Sequence, residues 1–468
     1  QFVGDDIRGN VGVVVTAKNR YCTAEDTGVN NGNACKTSRG EVVAEVNVVE
    51  TIFATGSAFA ALKSNGTVVT WGDSSSGGDS RAVQSQLTDV ETIFATDFAF
   101  AALKADGSVV TWGSTDNGGD SSAVQSQLTD IEAIFATDRA FAALKGDGSV
   151  VTWGKGTYGG ISSTVQDQLT NVKTIFPSQA AFAALKHDGT VVTWGNSNSS
   201  AVQSQLTDVE AIFSTRASSI NDDAFAALKR DGSVVTWGYS RFGGSSSAVQ
   251  DQLFDVKTIF ADSVSFAALK GDSTVVVWGA PPRVSEFSEL QSQLTDVETI
   301  FTTDSAYAAL KADGTVVTLG GWNSGGDSSA VQSQLTDVET IFSNNFAFAA
   351  LKADGSVVTW GISGSGGDSS AVQSQLTGVE VIFATDSAFA ALKADGSVVY
   401  WGSFGSYVAK PSNLEDVEVI FSNNGAFAAL KSDGSVDTWG TTNFGGSLSS
   451  TVKKQLDPSI TEIYENLE

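Results

Sequence analysis

The side chains that most often carry chemistry are scarce in this chain. His187 is the only histidine among 468 residues, and it stands in a turn-like stretch, Lys186-His187-Asp188-Gly189. Acid–base and nucleophilic catalysis lean on histidine or on Ser–His and Cys–His pairs, and metal work on Cys and His clusters. None of these constellations can be assembled here. Carboxylates are plentiful, and a pair of them can do acid–base work. They recur, however: Glu91, Glu132, Glu298 and Glu339 fill one position of a repeating segment. A catalytic site is asymmetric, so recurrence argues for structure and the chain reads as a non-enzyme.

Three recurrent sets could instead bind something. Gly118-Gly119-Asp120-Ser121-Ser122 and its copies, with nearby turn aspartates, raise calcium. Their spacing fits neither an EF-hand nor a Gly-Gly-x-Gly-x-Asp solenoid, so no cofactor is expected and calcium is the less favoured alternative. Lys63, Lys104, Lys145 and their later copies form a row that could grip an anionic polymer. Guarding strand ends and pairing with turn aspartates is the preferred role. A tryptophan in nearly every unit could line a glycan or peptide surface. Packing against the next unit, beside a turn glycine, is preferred.

Those residues must be positioned by the repeat itself. Trp-Gly recurs at Trp71, Trp112, Trp153, Trp194, Trp237, Trp278, Trp360, Trp401 and Trp439, with Leu319-Gly320 as the missing member. The spacing is 41 residues in most cases, and it defines ten units. In one unit, Val90 to Thr96 is β-rich, Ala99 to Lys104 runs to Asp106-Gly107, and Ser108 to Gly113 is β-rich again. The alanines favour a helix by propensity, but Asp-Gly between two short apolar runs predicts a hairpin. Ala123 to Leu128 is left open between a helical turn and an irregular strand. One unit holds too few large apolar side chains to offset ordering about forty residues, so neighbours must supply the rest. The expectation is an all-β array of about ten short blades, a closed ring or an open spiral.

The unit Val-x-x-Ile-Phe, Phe-Ala-Ala-Leu-Lys, Asp-Gly-Ser-Val-Val, Thr-Trp-Gly resembles the repeats of the regulator of chromosome condensation family, over about residues 46–464. Residues 401–421 come nearest the family's usual form. The short period is most similar to the bacterial β-lactamase inhibitor of the same fold. The resemblance implies a β-propeller with one blade per repeat, although ten units exceed the usual seven. It carries no residue of nucleotide exchange or chromatin binding onto this chain.

The expected organisation is an N-terminal cap or degenerate unit at 1–45, ten repeats at 46–459, and an extra strand at 460–468 that caps or closes the array. Cys22 and Cys35 suit a local disulfide and an oxidising compartment, with two free thiols as the alternative. Asn65-Gly66-Thr67 and Asn198-Ser199-Ser200 are glycosylation triplets. The chain holds no methionine and begins at Gln1, so a removed secretory signal is expected, with a fragment of a longer precursor as the alternative. Acidic residues outnumber basic ones 53 to 27, and the formal charge of −26 repels phosphate backbones, so nucleic acid is not an expected partner. No apolar run reaches the ~20 residues of a membrane helix.

Units differ mainly in loops after the Trp-Gly pair and in the 216–223 insertion. Loops on one rim vary without disturbing a core, so Tyr158, Arg216, Tyr239, Arg241, Phe242, Arg283, Phe404 and Tyr407 are candidate interface residues, with neutral drift as the alternative. Together these readings lead to a non-catalytic extracellular or surface-associated scaffold. Its partners would be other proteins, copies of itself, or a glycan, and self-assembly is one form it could take. A soluble lectin or protein inhibitor is the alternative.

Overall fold

The structure, a computed structural model, describes residues 28–29, 34–36, 42–197, 199–216, 222–280, 292–404, 408–409, 411 and 414–462. The Asp-Gly turn, with Asn65-Gly66 in the first unit and Asp272-Ser273 in the sixth as its counterparts, decides the local fold of the units. Gly107 adopts φ +75°, a conformation that strains side-chain-bearing residues, and Asp106 Oδ1 accepts from the Ser108 amide at 2.9 Å. The turn overrides the alanines' helical preference. Ala99–Lys104 is the middle strand of a three-stranded antiparallel sheet, between Val90–Ala95 and Val109–Gly113.

Alternation along the strands then assigns the two faces. Phe100, Ala102, Val110 and Trp112 pack toward the preceding sheet, while Ala99, Ala101 and Leu103 pack toward the following one. Phe141 and Trp153 of that following sheet, stacked at 5.1 Å, sit against Ala99 and Ala101. Each interface but one, where Leu319 stands for the tryptophan, therefore sets an aromatic pair into its neighbour's alanines, and no sheet completes a core alone.

Nine such sheets and a tenth, to which Val408–Ala409 adds a fourth strand, form blades 1 to 10, spanning 49–72, 90–113, 131–154, 172–195, 209–238, 256–279, 297–320, 338–361, 379–402 and 417–441. The first strands of successive blades lie against one another, so they are innermost. The array is a closed propeller. Phe59 and Trp71 of blade 1 share a core with Ala426, Ala428 and Leu430 of blade 10, as at the other interfaces. Trp71 Nε1 donates to Gly445 O at 3.2 Å, and Asn424 N–H donates to Gly56 O at 3.3 Å. The short helix Ser450–Leu456 adds Leu456 to that core and offers Gln455 O to Lys63 Nζ at 2.9 Å. Ser459–Glu462 pairs with Val42–Asn47, which pairs in turn with Ala34–Lys36, so both ends of the chain enter one sheet. Cys22 lies outside the described residues.

The segment after Gly-Gly is a 3-10 turn in the earlier units, Gln125–Gln127 in the second, and the helix Ser450–Leu456 in the tenth. Leu128 fills the next interface, and Gln125 Nε2 donates to Val109 O at 3.0 Å. Its Oε1 accepts from Ser121 Oγ, 3.0 Å from Thr111 Oγ1. This linker covers the outer edge strand, whose unpaired groups would otherwise recruit another strand. Among the described residues no helix is long and apolar enough to cross a membrane.

Candidate functional site

The two ends of the strands present different chemistry. One end, the loop face, carries the turn between first and second strands and the loop after Trp-Gly. Ser114 N–H donates to Phe98 O at 2.9 Å and Thr96 Oγ1 donates to Asn117 O at 3.2 Å, binding these segments together. Backbone hydrogen bonds link the turns of successive blades, from Gly56 to Asp97 to Asp138 to Gln179. The other end, the turn face, carries the Asp-Gly hairpins, the linker ends and the exposed glutamates of the first strands.

The turn face is periodic. Asp106, Asp147, Asp188, Asp231, Asp313, Asp354 and Asp395 each accept from a Ser or Thr two residues on, which holds their carboxyls below the usual range. Lysine pairing is local where it occurs: Lys270 lies 4.0 Å from Asp272 and 3.9 Å from the Phe254 ring centroid. A shallow depression of about 400 Å³ between blades 7 and 8 is walled by Glu298, Lys311, Asp313, Asp337 and Glu339. Similar depressions would follow wherever the repeat does, so nothing there is asymmetric.

The tryptophans are structural, with one correction to the expected direction. Trp112, Trp153, Trp194, Trp278, Trp360 and Trp401 donate Nε1 to a loop glycine carbonyl of the preceding blade, at 2.9–3.0 Å, not the following one. The strand order places Trp on the same face as Phe100, which looks back along the ring. Gly77, which accepts from Trp112, must be glycine: φ is +97° and a Cβ would lie 2.6 Å from Phe100 Cδ2. Trp237 bonds Ser197 Oγ instead, and Trp439 Nε1 is buried without a hydrogen-bond partner.

The variation in loop length gathers on the loop face, most densely over blades 3 to 5. Blade 4 has a shortened loop: its Thr193–Ser199 hydroxyl contact spans six residues where Thr152–Ser162 spans ten. Blade 5 has the lengthened turn, nine residues separating Thr215 from Ala224 where three separate Thr96 from Ala99. Arg216 of that turn reaches across blade 4 to Asp138 of blade 3, at 3.8 Å. Beside it, the Arg139 guanidinium lies between the Phe98 and Tyr158 rings, 4.9 and 5.1 Å from their centroids. In blade 5, Tyr239 packs edge-on to Phe242 at 5.1 Å, and Arg241 lies over Phe242.

The predicted residues thus separate. Arg216, Tyr239, Arg241 and Phe242 stand on this sector, with Tyr239 40% and Arg241 also exposed. Tyr158 is in the same sector but only 8% exposed, its ring given to Arg139. Phe404 packs edge-on to Phe427 of blade 10. Asn65 is exposed in its turn. Arg283, Tyr407 and Asn198 lie outside the described residues. Sequence reasoning missed Ile161, Trp322 and Ile362, exposed at 63%, 72% and 37% in loops of this face. The signal was available for one of them: Ile161 replaces the aspartate of Gly-Gly-Asp.

Two buried carboxyls were also missed. At the blade 6–7 interface Leu319 replaces Trp, Tyr307 replaces Phe, Ser265 replaces Ala and Asp262 replaces Thr. Asp262 accepts from the Val264 and Ser265 amides and from Ser265 Oγ, which lies 2.8 Å from Tyr307 OH. Burial, with Asp304 nearby, pushes its carboxyl up to about 7. Asp223 accepts from Ser178 Oγ at 2.7 Å and Ala180 N–H at 2.8 Å, tying blade 5 to blade 4. Burial raises it to about 6. Among the described residues no group of three or more His, Cys, Asp or Glu could hold a metal ion, and Asp120, Asp327 and Asp368 each cap a serine amide.

No protein-family model and no curated protein matches the sequence. Solved structures that are similar include Prp20p from Saccharomyces cerevisiae, at 16% identity and TM-score 0.33, covering 69% of this chain and 82% of that one. Yeast RCC1 (Prp20) bound to Kap60 covers 88% and 91%, at 15% identity and TM-score 0.34. The CRINKLY WD40 ectodomain of the Arabidopsis thaliana receptor kinase ACR4 covers 50% and 85%, at 17% identity and TM-score 0.30. The likeness in repeat length to a β-lactamase inhibitor gains no support from these structures. The chain is an all-β repeat propeller, as its closed ring of ten blades, nine of three strands and one of four, establishes.

Proposed function

We propose that this propeller is a non-catalytic protein-interaction scaffold that recognises partners through its loop face. The observation that carries the reading is the segregation of exposed apolar side chains. Ile161, Tyr239, Trp322 and Ile362, four of the five exposed large apolar side chains among the described residues, stand on the loop face with Arg241, whereas the turn face exposes only Phe254, whose ring Lys270 Nζ covers. Exposed aromatic and arginine side chains on a rigid frame have the composition of interface hot spots. An extracellular or surface-associated setting belongs to the same proposal, supported by the exposed Asn65 triplet and the cysteine pair. Self-assembly, if it occurs, proceeds through faces, because the linkers cover the outer strand edges.

The test is a display selection of small binding domains on the wild-type ring, repeated on variants of each face. Alanine at Tyr239, Arg241, Trp322 and Ile161 is expected to remove most selected binders. Changes at Phe254, Glu298 and Glu339 on the turn face are expected to spare them. Binders spread evenly over both faces would reject the reading. The alternative, a soluble lectin or protein inhibitor, is favoured only by Trp322, whose 72% exposure offers a stacking platform to a sugar ring. Glycan-array binding abolished by Trp322→Ala, with no protein binders, would select it.

A further inference from the structure

Charge on the loop face changes sign locally. In blades 1, 2, 7 and 8 the loop carries Gly-Gly-Asp, with Asp79, Asp120, Asp327 and Asp368. Blade 3 has Ile161 at that position, blade 5 has Ser245, and blade 4 has lost the segment. Two of these blades gain cations: Arg139 and Lys155 from blade 3, Arg216 and Arg241 from blade 5. Lys155 and Arg241 are exposed. Of the acidic groups in this sector, Asp138 is paired with Arg216, Asp222 is half-buried, and Asp223 is 3% exposed. On a chain of formal charge −26, blades 3 and 5 thus combine loss of the repeat's own acid with gain of arginine.

We propose that the blade 3–5 sector of the loop face is the docking site for an acidic polypeptide segment that also carries apolar side chains. This rests on the interaction-scaffold reading and names the partner's chemistry. Arginine recognises carboxylates through paired donors and stacks on aromatic rings, and both features are present. Arg139 is held by Phe98 and Tyr158, so its guanidinium loses little freedom on binding. Tyr239 and Ile161 flank the cations with apolar surface for the segment's non-polar side chains. The overall negative charge slows approach of such a segment, so recognition is short-ranged and selective against acids lacking the apolar component.

The probe is a short labelled peptide of alternating Glu and Leu, with Lys-Leu and Gln-Leu peptides of equal length, followed by fluorescence anisotropy. The Glu-Leu peptide is expected to bind the full chain, to weaken with salt, and to bind at least ~10-fold more weakly to Lys155→Glu/Arg241→Glu. The second variant, Ile161→Asp/Ser245→Asp, restores residues the other blades use at these positions and therefore folds. It is expected to weaken binding to the same extent. Glu-Leu binding unchanged by both variants would overturn the assignment, and so would no binding. Lys-Leu or Gln-Leu binding lost in the same variants would overturn the acidic partner while leaving the loop face as an interaction surface. Absence of any peptide binding, together with failure of the display selection, would remove the scaffold reading as well.

Discussion

At the residue scale, the indole nitrogen is the most economical test of how blades are joined. Trp360 and Trp439 both stack on a cross-strand phenylalanine, at 5.1 and 5.0 Å. Only Trp360 has an acceptor, Gly325 O at 2.9 Å. Trp360→Phe loses ring volume and a buried hydrogen bond, whereas Trp439→Phe loses volume and an unsatisfied donor. The first is expected to cost about 1–2 kcal/mol more than the second, read from thermal or denaturant midpoints. Gly366→Ala probes the accepting side. Its φ is +91° and a Cβ would lie 2.6 Å from Phe389 Cδ2. Strain and overpacking together are expected to cost about 2–4 kcal/mol. Stability unchanged within error would remove the tight loop–ring contact from the account.

At the element scale, two interfaces titrate, and the one between blades 6 and 7 does so at the higher pH, Asp223 between blades 4 and 5 being raised only to about 6. Asp262 is raised when folded, so its contribution to stability is complete below the ordinary carboxyl pKa near 3.8 and is lost as pH rises through about 7. The hairpin aspartates have the opposite sign: they are depressed, and their contribution is lost as pH falls below that range. The melting midpoint is therefore expected to be highest in mildly acidic buffer and to decline toward pH 8. Asp262→Asn should flatten the alkaline limb, removing on the order of 4 kcal/mol of pH dependence. An unchanged alkaline limb would show that Asp262 stays ionised. Asp304, Ser265 and Tyr307, which face it, make Asp304→Asn the matching control, expected to shift the limb only slightly.

For the whole molecule, closure is the property that matters. Blades 1 and 10 meet through the same aromatic-on-alanine packing as every pair but blades 6 and 7, and Leu456 and the pairing of 459–462 with 42–47 are additional. Removing residues 450–468 is expected to lower the melting midpoint. It should also speed amide hydrogen exchange first in 49–72 and 417–441, while blades 4 to 7 keep their protection. A uniform loss of protection would instead mean that the ring opens as one cooperative unit. Rigid closure also fixes the loop face, so its Arg and aromatic side chains bind from a frame that needs no ordering.

The sequence by itself determined the unit. Period, Asp-Gly turns and alternating Phe-Ala-Ala-Leu specify a short three-stranded sheet with two apolar faces, because turn geometry and strand alternation are local. It also held an unread signal: from blade 2 to blade 10 the residue before the first strand is Asp, Asn or Gly. The structure puts Asp89, Asp130, Asn171 and Gly378 at φ +56° to +63°, a region those three residue types tolerate. Only the tertiary structure decided that ten units close into a ring, that each tryptophan looks backward, and that Arg216 crosses blade 4 to reach Asp138. Closure depends on the small angle between packed blades, which accumulates over the whole array and is written in no single repeat. Contacts such as Arg216 with Asp138 join residues from different units, so no repeat read in isolation contains both partners.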